Sequence, residues 1–281
     1  MELVDTHCHL DFNKFDVDRD EVIHRARLMG LTHILIPGIN IDSSRIAVKI
    51  AESDPTIYAS IGFQPNDSLK WEVDSPHDLE SIYLDHLINT RQGNRKIVAI
   101  GEIGLDYYWE VASHQHQKEV LNQQLVLAAE LELPVILHMR EKEDADFGEC
   151  TEDLLEMIEN WMDQLKRSNK QLSAHPGVFH SFSGNLDTAQ KAISLGFYIG
   201  VTGPVTYLNA RRRQDLIANI PVEHLLLETD SPFLTPHPYR GQRNEPAHVQ
   251  LVARKVAEIH HTTLVEVATQ TSINARQLFN W

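Results

Sequence analysis

Eight short runs rich in β-branched and aliphatic residues recur along the 281-residue chain, and segments of helical spacing separate them. The runs are ELVDTH, THILIPG, IYASIGF, KIVAIGEIG, PVILHM, GVFHSF, FYIGVTG and HLLLETD. Between them, Val22, Ala26 and Met29 fall at i, i+4, i+7, and Leu186, Ala189 and Ile193 at i, i+3, i+7. Val249, Val252, Val256 and Ile259 line a third stripe. Such spacing predicts amphipathic helices that bury one face. A helix after each strand returns the chain to the same end of the sheet, so the strands pair in parallel. Eight such units predict a (β/α)8 TIM barrel, with an additional C-terminal helix over residues 263 to 279. No sequence motif repeats and no Pro/Gly/Ser-rich linker divides the chain, which predicts one domain over residues 1–281.

The composition, 42% hydrophobic with 12 Pro and 13 Gly, is that of a folded globule. A formal charge of −15 argues against a broad basic patch for nucleic acid or anionic membrane. It leaves room for a phosphate-bearing substrate, because cations held in a pocket invert the local sign. Cys8 and Cys150 form no C-x-x-C pair and read as two reduced thiols. The first strand follows no basic and apolar leader, and runs such as HILIPGI (33–39) are too short to span a bilayer. A soluble cytoplasmic protein is expected.

In a barrel the carboxyl ends of the strands meet at one mouth. Strand 1 ends in Asp5, His7 and His9, strand 4 in Glu102, strand 5 in His138, strand 6 in His180 and strand 8 in Asp230. Four imidazoles and two carboxylates thus converge, a donor set suited to Zn²⁺, Mn²⁺ or Mg²⁺. Alternate strand residues share a face, so His7 and His9 can chelate one ion while Cys8 points away. Asp5, one step deeper, is placed to accept a hydrogen bond from a ligand histidine. His24, His33, His114, His116, His260 and His261 lack this placement and read as helix-surface or strand-start residues. The acidic stretch MREKEDADFGEC (139–150) is long for a βα loop and reads as a solvated insertion or as a rim element of the mouth.

Together DTHCHLD, GEIGLDYY, LHMR, FHSFSG, LLLETDSPF and RNEPAHV, with TSINARQLF near the end, resemble the TatD family of metal-dependent hydrolases among the amidohydrolase-like barrels. The resemblance implies a barrel with two divalent metal ions and phosphodiester hydrolysis, typically as a 3′-to-5′ deoxyribonuclease acting on DNA, single-stranded or at its ends. It implies that His7, His9 and Asp230 hold one ion, that His138 and His180 hold the other, and that Glu102 bridges them. Two ions roughly 3.5 to 4 Å apart can clamp a phosphodiester and acidify a water. Asp230 would also accept that water's proton, a general-base role worth roughly 10² to 10⁴-fold. Glu228 is a deeper partner of the site or a buried structural acid. Asp106 and Arg140 read as site-shaping residues, and Arg243 and Asn244 as phosphate or loop anchors. No membrane partner is expected, and the sequence leaves the oligomeric state open, compatible with a monomer.

One motif departs from the family. After strand 3 many relatives carry G-x-H-P-H, whereas this chain reads G-F-Q-P-N (62–66). Gln64 donates and accepts hydrogen bonds but cannot act as an acid near neutral pH. Two other reactions suit the same barrel: deacylation of misacylated tRNA (a D-aminoacyl-tRNA deacylase), and hydrolysis of a carbon–nitrogen bond or a lactone. Many enzymes of the last kind bridge their metals with a carbamylated lysine, where strand 4 here offers Glu102.

Overall fold

The computed structural model describes residues 1–89, 95–168 and 170–281. Its strands are β1 (Leu3–Asp5), β2 (Leu31–Pro37), β3 (Ile57–Ile61), β4 (Ile97–Asp106), β5 (Val135–Arg140), β6 (Gly177–Phe179), β7 (Tyr198–Val201) and β8 (Leu225–Leu227). They pair in sequence order, each parallel to the next. Closure between the first and last strands is made beyond the ends of β1 and β8. Thr6 N donates to Leu227 O at 3.1 Å, Asp230 N to His7 O at 2.9 Å and His9 N to Ser231 O at 2.8 Å. The result is the expected (β/α)8 barrel. All ten residues of β4 are buried, as befits a parallel strand covered on both faces.

The helices are α1 (Arg19–Leu28), α2 (Ile41–Ser53), α3 (Ser75–Asn89), α4 (His114–Leu131), α5 (Glu149–Arg167), α6 (Leu186–Ser194), α7 (Arg211–Ala218), α8 (Val249–Ile259) and α9 (Leu264–Phe279). Most bury an apolar stripe, which in α5 runs through Leu154, Ile158, Trp161 and Leu165, whereas α7 buries only Ile217. The α1 stripe stops one turn early. Met29 caps the helix and is 47% exposed, because Gly30 at φ +90° turns the chain into β2. Helix α9 is the expected addition, and it packs on β1 and β8 at the amino end of the barrel. Its start is fixed by a capping box, Thr263 with Glu266. Asn274 Nδ2 donates to the carbonyls of Val222 and Leu225 at 2.8 Å each. Trp281 then stacks against His33 and Tyr58 at the starts of β2 and β3. None of the described helices is long and apolar enough to cross a membrane.

Three strands are shorter than their apolar runs. With β1, β6 and β8 only three residues each, His7, His9, His180 and Asp230 lie just past the ladder instead of within it. Past the ladder, Cys8 still bridges Ser231 in parallel. The ligand-type side chains therefore leave the sheet at its carboxyl end and gather above the core.

Candidate metal centre

Five connections meet at the mouth. Nε2 of His7 and Nε2 of His9 are 3.3 Å apart. Oδ1 of Asp230 stands 3.8 Å from the first, 3.5 Å from the second and 3.7 Å from Nε2 of His180. The His7 and His180 rings stack with centroids 3.4 Å apart. Glu102 faces both ways: Oε1 is 2.7 Å from Nδ1 of His138, while Oε2 is 3.4 Å from Nε2 of His7 and 3.8 Å from Nε2 of His9. Among the described residues, His7, His9 and Asp230 form one group whose ligand atoms lie within 4.8 Å of one another, and His7, Glu102 and His180 form a second.

These residues fit a metal by chemistry as well as by position. The donor set, imidazole Nε2 of His7, His9 and His180 with carboxylate oxygens of Glu102 and Asp230, is one that holds divalent transition metals. Burial, aided by His180, lowers the His7 pKa to about 4, which keeps its ring neutral and able to donate a lone pair. The carboxylates are held ionised although burial opposes it. Hydrogen bonds with His138 and His7 keep Glu102 well below its ordinary range, and His9 and His180 draw Asp230 down from its own. Asp230 and Ser181 also sit at φ +53° and +44°. Non-glycine residues there cost on the order of 1–3 kcal/mol each, strain that concentrates at functional sites.

His138 stands apart from the two groups. Its Nδ1 pairs with Glu102 and its Nε2 lies 2.9 Å from Oδ2 of Asp106, so both nitrogens face carboxylates. Burial alone would lower its pKa; the bonds with Asp106 and Glu102 outweigh that and push it up to about 10. Asp106 thus shapes the site through His138. It also accepts from the amides of Tyr108 and Trp109, which turns the chain after β4. Gly104, at φ +142°, permits this approach, because a Cβ there would lie 2.0 Å from the His138 carbonyl oxygen.

The supporting residues correct several expectations. Asp5 orients no ring; it accepts from Thr229 N at 2.9 Å, Thr229 Oγ1 at 2.6 Å and the backbone N of His7, and burial pushes its pKa up to about 8. The pairing of Asp5 with Thr229 follows from the β8–β1 closure, which sets Asp5 against backbone donors. Glu228 is the deeper partner instead: its Oε2 accepts from Ser181 N at 2.8 Å and lies 2.9 Å from Nδ1 of His180. Arg243 and Asn244 are loop anchors. Arg243 forms a two-pronged pair with Asp18, and Asn244 Nδ2 donates to the carbonyls of Thr229 and Phe233. Gln64 starts a turn after β3 and is partly buried, its backbone N bound to Ile39 O. From that turn it is Asn66, not singled out by motif, that reaches the site, donating to Asp106 Oδ2 at 3.0 Å.

Comparison with known proteins gives the family. Residues 4–280 match the family described as TatD related DNase. The chain belongs to the TatD family. A metal-dependent hydrolase of Bacillus subtilis (strain 168), YabD, is 36% identical to this TatD-family chain over 277 residues, covering 99% of it and 98% of the relative. The 3′-5′ ssDNA/RNA exonuclease TatD of Klebsiella pneumoniae (strain 342) is 33% identical over 285 residues, covering 99% and 97%. Among solved structures, the TatD homologue YjjV from Escherichia coli K12 superposes with a TM-score of 0.85 at 31% identity, covering 99% and 98%. Like its relatives, this TatD-family protein is a metal-dependent hydrolase.

The mouth of the TatD-family barrel is a cavity of about 360 Å³ lined by His138, His180 and Asp230 and by Arg140, Asp144 and Arg213 from the rim. Met139, Arg140 and Asp144 of the acidic 139–150 stretch line the cavity, and Asp144 accepts from Arg140 Nε at 2.9 Å. Glu141 of the same stretch caps α5 through the amides of Cys150 and Thr151. Large apolar side chains stand exposed on the same face, on four different βα connections: Trp109, Phe147, Leu208 and Phe233.

Proposed function

We propose that this TatD-family hydrolase cleaves phosphodiester bonds at the ends of single-stranded nucleic acid, DNA above all, as a 3′-to-5′ exonuclease. The observation that carries this reading is the double aspect of Glu102, one carboxylate oxygen toward His138 and the other toward His7 and His9. A carboxylate so placed suits a bridge between two divalent ions, Zn²⁺, Mn²⁺ or Mg²⁺. His7, His9 and Asp230 would hold one, and His138 and His180 the other, with His138 exchanging a carboxylate hydrogen bond for ligation. Bound there, the pair would neutralise phosphoryl charge and lower the pKa of an attacking water.

The chain's own residues supply the rest. Asp230, ionised and 15% exposed in its side chain, is the carboxylate positioned to take the water's proton. Glu228 fixes the His180 ring, and Asp106 fixes His138. Arg140 lies 3.8 Å over the Tyr108 ring, a planar cation beside the cavity in a protein of net charge −15. The exposed aromatic side chains on the rim offer stacking surfaces to unpaired bases, which duplex DNA keeps stacked inside. The named activity of the Klebsiella relative supports the same substrate class.

The test is a substrate panel with Mg²⁺ or Mn²⁺, with and without chelator. It holds a 5′-labelled single-stranded oligonucleotide, its duplex, bis-p-nitrophenyl phosphate, a hydantoin, a lactone and a misacylated tRNA. The proposal expects a ladder shortening from the 3′ end of the single strand, abolished by chelation. Turnover of the hydantoin, the lactone or the aminoacyl ester with the oligonucleotide left intact contradicts it.

A further inference from the structure

Three arginines stand at the mouth cavity and the groove beside it, Arg140 and Arg213 at the first and Arg212 with Arg213 at the second, and they differ in what neutralises them. Arg140 is paired with Asp144, and Arg212 with Asp146. Arg213 is partly buried, and among the described residues it has no hydrogen bond and no ion pair. Asp144 acts on it only through space, and burial draws its pKa down from the usual arginine value. A guanidinium partly withdrawn from water, with an acid nearby but no ion pair of its own, keeps its fork free to receive an anion.

Its position says which anion. Arg213 lines the same cavity as His138, His180 and Asp230, and it also lines a groove that leads outward past Ser183, Tyr207 and Asn209. One side chain therefore faces both the metal centre and the path away from it. The local sequence points the same way. Helix α7 opens R-R-R, with no acidic residue in its first turn. Cations there oppose the helix dipole. A run that weakens its own helix at the rim of a site is a local rule broken where function makes a demand.

We propose that Arg213 holds the phosphate flanking the scissile one, so that the groove toward Tyr207 and Asn209 carries the neighbouring nucleotide of the strand. The inference rests on the nuclease reading above and adds a subsite to it. The guanidinium fork matches two phosphate oxygens at once, which an ammonium does not. A substrate with a single phosphate, seated at the metals, leaves the subsite empty.

The experiment compares wild type, Arg213→Ala and Arg213→Lys on a single-stranded oligonucleotide and on bis-p-nitrophenyl phosphate. Oligonucleotide binding is followed in parallel by fluorescence anisotropy in EDTA, where no turnover occurs, over a salt series. For Arg213→Ala the loss of kcat/KM on the oligonucleotide should exceed the loss on the one-phosphate ester by about tenfold, mostly in KM. The slope of log affinity against log salt should fall by about 1. Arg213→Lys should keep the slope and recover part of the affinity. Equal losses on both substrates, or an unchanged salt slope, overturn the subsite while leaving the nuclease reading in place. A wild type that neither binds nor cuts the oligonucleotide overturns the nuclease reading, and the subsite with it.

Discussion

Oε2 of Glu228 lies 2.9 Å from Nδ1 of His180, across 48 residues of sequence, and this contact leaves Nε2 of the ring facing Asp230. The fit depends on Gly200, where a Cβ would stand 2.5 Å from both carboxylate oxygens. Partners of this kind typically contribute 10 to 100-fold in metal affinity. Glu228→Ala should therefore weaken metal binding by about that factor. Glu228→Gln should lose less, because its carbonyl oxygen can still accept from His180 and Ser181. Gly200→Ala should resemble Glu228→Ala by displacing the carboxylate. Metal titration of the three variants decides the point; wild-type affinity in Glu228→Ala would make the contact merely structural.

Glu102 touches both groups of histidines, so its loss should exceed that of any single imidazole. Glu102→Ala should lower kcat/KM by on the order of 10³-fold or more, since metal clamping is worth several kcal/mol. His7→Ala should lose less. Both variants should still unfold cooperatively, because the apolar core lies below the mouth. Steady-state kinetics with metal analysis checks this. A Glu102→Ala protein with full metal content and near-wild-type turnover would remove Glu102 from the site.

The family pattern suggests a leaving-group role for position 64, although from that turn it is Asn66 that bonds Asp106. A sugar alkoxide is a poor leaving group and benefits from an acid, whereas p-nitrophenolate needs none. Gln64 can hold an oxygen but delivers no proton. Gln64→His should raise kcat/KM for DNA by about tenfold or more while barely changing that for bis-p-nitrophenyl phosphate. Matched metal occupancy is essential to the comparison. Equal effects on both substrates would show that position 64 has no acid role.

Much of this was legible in the sequence because the barrel repeats one physical unit. Apolar runs of strand length marked all eight strands, and the candidate ligand residues stood out by recurring where those runs end. The partners across the β8–β1 closure did not. Asp5 and Glu228 are both acids of the inner face, and only the register that sets Asp5 against Thr229 decides which one orients a histidine. Arg213 reads in sequence as one more charge on a solvated helix, and only the fold sets it at the lining of the cavity. Asn66 hid inside a motif noticed for Gln64. Arg243 and Asp18 are 225 residues apart, a pairing no local pattern announces.

The capping box of α9 gives the fold a pH signature. Hydrogen bonds from Thr262 and Thr263 lower the pKa of Glu266 from 4.5 to about 2. Between those values the unfolded chain binds the extra proton, so this contribution is complete above about pH 4.5 and is lost as pH falls toward 2. Glu266→Gln should be less stable than wild type near pH 6, and the two should converge on acidification. Urea midpoints from pH 6 to 2.5 test this; a constant gap across the range would rule out the carboxylate as its source.

The most direct test of the whole account is the metal content of the purified protein. Wild type equilibrated with Mn²⁺ or Zn²⁺, desalted and analysed by mass spectrometry should carry up to two ions per chain, and its melting temperature should rise on loading. The same treatment of Glu102→Ala should leave fewer ions bound. Wild-type protein that retains no ion and gains no thermal stability from either metal would contradict the assignment of His7, His9, Glu102, His138, His180 and Asp230 as a metal centre.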